Sequence, residues 1–170
     1  MIFHQGDPDG DGDFDELYAI GARSFSVWSA RGQLLYDSGD LLESKLAELE
    51  PANFNSTNDE TGSFDDRSDD KGPEPEGLVI GEVDGVPLLF LGLERIGGIM
   101  AFDLSDPAAP VFVDYINTRD FNGDPKADTA GDLAPEGLCF IPAEQSANSK
   151  ALLIVSYEVS GSIAVFQLDR

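Results

Sequence analysis

"PEGLVIGEVDGVPLLFLGLERIGGIMAFDL" (residues 75–104) and "PEGLCFIPAEQSANSKALLIVSYEVSGSIAVFQL" (135–168) are two copies of one unit. Each opens on Pro-Glu-Gly. An apolar strand follows, then a turn, a second apolar strand, a polar break holding a glutamate, and a third strand. Glu94 aligns with Glu158, Gly97 with Gly161, Ile99 with Ile163 and Phe102 with Phe166. The second copy is four residues longer, and all four fall before its second strand. A weaker third copy, "ELYAIGARSFSVWS" (16–29), matches only the second and third strands.

The segments read as strands by their periodicity. "LLFLGL" and "LLIVSY" are short continuous apolar runs, the pattern of strands buried on both faces. "IMAFDL", "IAVFQL" and "SFSVWS" alternate or nearly so. "SDPAAP" (105–110) is a turn, and "VFVDYI" (111–116) is a fourth strand. A repeat of about 40–50 residues with four strands marks a β-propeller blade. The expected fold is therefore all-β: a partial β-propeller of four-stranded antiparallel blades, with long acidic inter-blade loops and one short helix.

Read as a single segment, 1–170 holds a partial blade at 14–39, a loop at 40–75, a full blade at 76–116, a loop at 117–135 and a partial blade at 136–168. The first loop opens on the helix. Asp40 is placed to cap it, with Glu43 completing a capping-box-like pair. Leu42, Leu46 and Leu49 form its apolar face, and Pro51 ends it. About two and a half blades leave a propeller open, since closure takes about 4–8. The expected partners are thus further propeller blades or a second copy of the chain.

Charge and composition narrow the function. The net charge is −23, from 33 acids against 10 bases. Such a surface repels phosphate backbones and anionic lipid, which excludes nucleic-acid binding and fits a divalent-cation binder or a salt-adapted protein. Cys139 has no cysteine to pair with and is read as a buried, inert thiol. His4 is the single histidine, which rules out a His-rich zinc site and leaves little for a Ser-His or Cys-His pair. No run approaches the ~18 apolar residues of a membrane span. "MIFHQGDPDG" lacks the basic start and apolar core of a signal peptide.

Several motifs together resemble the choice-of-anchor I family: "GDGDFDELYAIGARSFSVW", "FDDRSDDKGPEPEG", "GLERIGGIMAFDLSDPAAPVFVDY" and "DLAPEGLCFIPAE". The segment "IMAFDLSDPAAPVFVDYI" is also similar to the LVIVD-type repeat of surface propellers. The resemblance covers nearly the whole chain and places it in the C-terminal part of the family. It implies a bacterial, extracellular or cell-surface β-propeller with further blades upstream, a signal peptide and a C-terminal anchor. Some family members carry an alkaline-phosphatase label.

Three sets of residues are candidate sites. The opening loop "DPDGDGDFDE" (7–16) alternates Asp7, Asp9, Asp11, Asp13 and Asp15 around glycines. Aligned to an EF-hand it has glycine at position 6, but position 12 is Tyr18 rather than glutamate, so it is no EF-hand. It remains a candidate calcium loop, with a solvated acidic loop as the alternative. Magnesium, which needs few protein ligands in strict octahedral geometry, suits it less.

The second set is "DDRSDDKGPEPEG". Glu76, and Glu136 one blade later, sit at equivalent places near a channel mouth, where they can share a cation. Otherwise Pro-Glu-Gly is a blade-entry turn whose glutamate bonds backbone amides. The third set is Glu94, Arg95, Glu158, Arg119 and Asp120, read as structural ion pairs such as Glu94–Arg119 or, with Arg67, as phosphate contacts. Trp28, Phe25 and Phe102 are expected in inter-blade packing.

Two functions follow. The first is a calcium-binding propeller segment of a secreted or cell-surface protein, with an adhesive or scaffolding role and Ca²⁺ as its ion. The alternative is a metal-dependent phosphoesterase, alkaline phosphatase- or phytase-like, whose carboxylates hold metals and whose Arg67, Arg95 or Arg119 contacts phosphate. Pro-Glu-Gly is also similar to the start of blades in calcium-dependent propeller phosphoesterases. No residue is assigned a catalytic role.

Overall fold

The computed structural model describes residues 7–13, 15 and 23–169. The expected strand at 16–22, Glu16, Tyr18 and His4 lie outside the described residues. Within them are three antiparallel sheets and a single α-helix. The first sheet is the hairpin β1 (Ser26–Trp28) and β2 (Leu34–Asp37). Helix α1 (Leu41–Leu49) follows. The second sheet runs in chain order through β3 (Pro75–Val83), β4 (Val86–Leu93), β5 (Ile99–Asp103) and β6 (Val111–Ile116). The third holds β7 (Pro135–Ile141), β8 (Ala151–Tyr157) and β9 (Ile163–Leu168). Among the described residues no sheet closes on itself. The fold is a partial β-propeller of meandering blades.

Local chemistry explains the meander. β3 and β4 pair through Val83 and Val86 across Asp84-Gly85. Both turn residues have positive φ, 50° and 81°, as a tight type I′ hairpin requires. The corresponding turn between β7 and β8 is the longer one, and its extra residues form a one-turn 3₁₀ helix at Ala143–Gln145. Each Pro-Glu-Gly carries a register irregularity, between Pro75 and Leu78 and between Pro135 and Gly137. Each is preceded by a residue in the left-handed region, Glu74 (φ 50°) and Ala134 (φ 62°). The repeat thus extends to backbone detail.

Two cores lie between the sheets. One packs Phe25, Leu42 and Leu46 against Leu89, Leu91, Met100 and Phe102. The other packs Phe90 and Ile99 against Leu153, Val155 and Tyr157. β4, covered by both, is buried along six consecutive residues, as its apolar run predicts. β8 differs. It alternates buried and less buried positions, because only one face of its sheet is covered among the described residues. Cys139 lies on the uncovered face with Ile154 and Val165, and it is exposed rather than buried. An apolar run in the sequence does not reveal which face of a blade is covered among the described residues.

Three further expectations need correction. Trp28 is 58% exposed and donates its indole N–H to Ser26 Oγ at 2.7 Å. The two-residue period of β1 turns Phe25 and Val27 inward and Trp28 outward. Phe25 and Phe102 do pack together, with ring centroids 4.8 Å apart. On α1, Leu42 and Leu46 are fully buried but Leu49 is 44% exposed, since the last turn runs past the core. The capping box does not form. Asp40 makes no side-chain cap bond, and Glu43 instead accepts from Arg23 Nη1 at 2.8 Å and Asn55 Nδ2 at 2.6 Å.

Candidate functional site

The opening loop is held by its own aspartates. Asp7 accepts from the N–H groups of Gly10 (2.7 Å) and Gly12 (3.2 Å), Asp9 from Asp11 (3.3 Å) and Asp11 from Asp13 (3.1 Å). Gly10 and Gly12, with φ of 74° and 99°, supply the left-handed turns that let the chain curl around its carboxylates. One oxygen from each of Asp7, Asp9 and Asp15 falls within 4.8 Å of the others. Among the described residues this is the one set of three or more potential metal ligands so gathered. Asp11 and Asp13 lie outside it. Three hard carboxylate oxygens in a turning loop are a donor set suited to Ca²⁺, which would offset their mutual repulsion.

Glu76 and Glu136 sit at the starts of β3 and β7, the first strands of neighbouring sheets, and both are exposed. Among the described residues neither joins a cluster of three metal ligands. What brings their strands together is backbone. A Cβ built on Gly77 would stand 2.0 Å from the Glu136 carbonyl oxygen, and one on Gly81 would stand 2.3 Å from the Phe140 ring. Glycine at these positions lets β3 and β7 approach closely.

Behind the Pro-Glu-Gly at the start of β3, Glu94 and Arg95 of the third candidate set meet Lys71 and Glu74 of the second in one polar cluster. Glu74, 6% exposed, pairs with Lys71 and with Arg95 Nε. Arg95 also reaches Glu94 at 3.3 Å and Asn58 Oδ1 at 3.2 Å, and Asn58 donates to Glu94 at 3.4 Å. Burial pushes the Glu94 carboxyl above its ordinary range. Arg95 opposes that shift, and the neighbouring Glu76 carboxyl adds to it. The 50–74 loop folds over this cluster, burying Asn55, Ser56, Thr57 and Asn58. The sequence marked Glu94 with Arg95 and the acidic run around Lys71 as separate sets, but not that they meet.

The three arginines expected to contact phosphate are engaged within the chain. Arg67 pairs with Asp70 at 2.7 Å, and Arg95 sits in the cluster above. Arg119, 8% exposed, donates to the carbonyls of Arg95 (3.2 Å) and Glu60 (3.1 Å), with its guanidinium 4.6 Å from the Phe121 ring centroid. The expected Glu94–Arg119 pair is therefore replaced by Glu94–Arg95. Arg119 clamps the 50–74 loop to the 117–135 loop through backbone oxygens. Its burial lowers its pKa from the usual guanidinium value. Thr61 adds a second tie, donating to the Gly123 carbonyl at 2.7 Å. Asp120 accepts from the Asn122 N–H at 2.9 Å, and the Glu158 N–H donates to the Ala134 carbonyl at 2.8 Å, as the Glu94 N–H does to the Glu74 carbonyl at 2.9 Å.

These features define an acidic, incomplete β-propeller whose blades are joined by folded polar loops. The chain belongs to the choice-of-anchor I domain family, which it matches over residues 2–107. It is 30% identical over 169 residues to gigasin-3a of Magallana gigas, covering 93% of this chain and 60% of that protein. It is also 30% identical over 105 residues to the mesenchyme-specific cell surface glycoprotein of Strongylocentrotus purpuratus, covering 54% of this chain and 14% of that protein. The chain thus spans less than two thirds of either relative. No solved structure matches it. No helix among the described residues is long and apolar enough to cross a membrane.

Proposed function

We propose that the chain is a calcium-binding segment of a secreted or cell-surface β-propeller, with a scaffolding or adhesive role. The observation that carries the metal is the convergence of Asp7, Asp9 and Asp15 in a loop wound around its own carboxylates. Bound Ca²⁺ would neutralise charge in the most acidic stretch of a chain of net charge −23. The extracellular setting is supported by family membership and by the surface location in the name of the Strongylocentrotus relative. A scaffolding role is supported by the internal engagement of Arg67, Arg95 and Arg119, which makes them parts of the loop architecture.

The test is thermal melting of chelator-treated protein at moderate salt, with calcium or magnesium added back. A calcium-specific, saturable rise in melting temperature is the expected result, since a ligand that binds only the folded state stabilises it by mass action. Equal responses to both ions, or responses abolished by salt, would make the loop a solvated acidic surface.

A further inference from the structure

The sequence holds one Asn-x-Ser/Thr acceptor for asparagine-linked glycosylation, Asn55-Ser56-Thr57. Such a tripeptide ordinarily marks an exposed loop of a secreted protein. Here the fold buries it: Asn55 is 0% exposed, Ser56 2% and Thr57 6%. Thr57, whose hydroxyl completes the acceptor, donates that hydroxyl to Asp59 Oδ1 at 2.6 Å. Asn55 stands in the left-handed region at φ 43°, and its carbonyl accepts the Arg67 N–H at 2.9 Å.

The acceptor nitrogen is itself spent on the fold. Asn55 Nδ2 donates to Glu43 Oε1 at 2.6 Å and to Ser68 Oγ at 2.9 Å, so both of its protons are in use. Glu43 fixes the orientation of the amide, because a carbonyl turned toward that carboxylate would be repelled. The same Glu43 oxygen accepts from Arg23 Nη1 at 2.8 Å. The amide thereby ties α1 to the acidic run of the 50–74 loop, and Arg23, which also donates to the Asp70 carbonyl at 3.1 Å, adds the segment before β1. A Cβ on Gly72 would meet Glu43 Oε1 at 3.2 Å and Arg23 Nη1 at 3.1 Å, so these surroundings are full.

We propose that Asn55 is a glycosylation site that folding closes: its amide takes either a sugar or its place in the loop. Transfer joins Nδ2 to the anomeric carbon of a phosphate-activated sugar, breaks the bond from that carbon to the phosphate oxygen, and releases one Nδ2 proton with the leaving phosphate. The product keeps one N–H where the loop uses two, and it brings a hydrated ring into a site with no exposed surface. A chain that closes the loop first stays unmodified, whereas a modified chain leaves α1 and the acidic run untied. A chain secreted, as proposed above, through a glycosylating compartment would meet activated sugars while still unfolded, so the order of the two events decides its fate. The exclusion itself depends neither on that setting nor on calcium.

The test offers a soluble asparagine glucosyltransferase and nucleotide-activated glucose to the intact folded chain and to its tryptic peptide Leu46–Arg67, with mass spectrometry of Asn55 as the readout. The peptide should gain one hexose. The intact chain should react at least about tenfold more slowly, because only molecules with the loop open present the amide. Lys150→Thr supplies the control: it completes an acceptor at the exposed Asn148, which the folded chain should modify at a peptide-like rate. Glu43→Ala removes one partner of the amide and should speed modification of Asn55 in the intact chain. Equal rates for intact chain and peptide would overturn the proposal. So would a glucosylated full chain that melts with the parent, or a peptide that takes no sugar. Slow reaction at Asn148 as well as Asn55 would also overturn it, by tracing the block to the transferase rather than to burial.

Discussion

Gly77 and the carbonyl of Glu136 meet backbone to backbone: a Cβ at Gly77 would stand 2.0 Å from that oxygen, closer than any side chain tolerates. The first strands of adjacent blades, β3 and β7, therefore touch at the Pro-Glu-Gly that opens each repeat. Gly77→Ala must push β3 away from β7, and Gly81→Ala must displace the Phe140 ring. Each should cost about 1–3 kcal/mol in denaturant unfolding, the usual range for overpacking. Glu136→Ala alters only an exposed side chain and should fall within about 0.5 kcal/mol. A Gly77→Ala protein as stable as the parent would mean that the blades are not packed this closely.

Glu74 is the buried anchor of the loop that covers the second blade, held by Lys71 and Arg95. Removing one partner of a buried ion pair leaves the other charge uncompensated, typically at a cost of about 3–5 kcal/mol. Arg95→Met should approach the lower end, because Arg95 retains some solvent contact. The double variant Glu74→Gln with Arg95→Met should be less destabilised than the sum of the two singles. Strict additivity in the unfolding cycle would show that the two groups do not interact.

The raised pKa of Glu94 gives a pH dependence with a definite sign. Burial disfavours its charged form, so the folded state holds this proton to higher pH than the unfolded chain, whose carboxyl titrates near 4.5. Stability from this group is fully present below the unfolded pKa. It is lost as pH rises from there through the folded pKa. Parent and Glu94→Gln proteins, melted in parallel from acid to neutral pH, should show the parent losing ground to the variant across that window. A difference independent of pH would contradict the assignment.

Helix α1 offers a contrast on one element. Leu46 is fully buried against the first core, and Leu46→Ala should cost about 2–5 kcal/mol. Leu49, one turn on, is 44% exposed, and Leu49→Ala should cost well under about 1 kcal/mol. Equal losses in chemical denaturation would mean that the helix is seated differently.

The repeat made the blades legible because strand period, turn chemistry and Pro-Glu-Gly all point to the same unit. Its correspondence carries down to the left-handed residues Glu74 and Ala134. What it could not convey is what lies beside each blade. "LLIVSY" looks as buried as "LLFLGL", yet among the described residues only β4 has a sheet on both faces, and Cys139 is exposed there for that reason. The polar cluster was legible in composition but not in pairing. Glu94 and Arg119 are both part of the loop architecture, but Arg119 chose the carbonyls of Arg95 and Glu60 over a carboxylate. Pairings across long loops depend on how those loops fold, and no local pattern encodes that.

Calorimetric titration of calcium into chelator-treated protein, beside the Asp7→Asn and Asp15→Asn variants, tests the central claim most directly. Asp7, Asp9 and Asp15 form the gathered set, so the parent should bind saturably at moderate salt and each variant at least about tenfold more weakly. Absence of binding in the parent, or equal binding by all three proteins, would contradict the account.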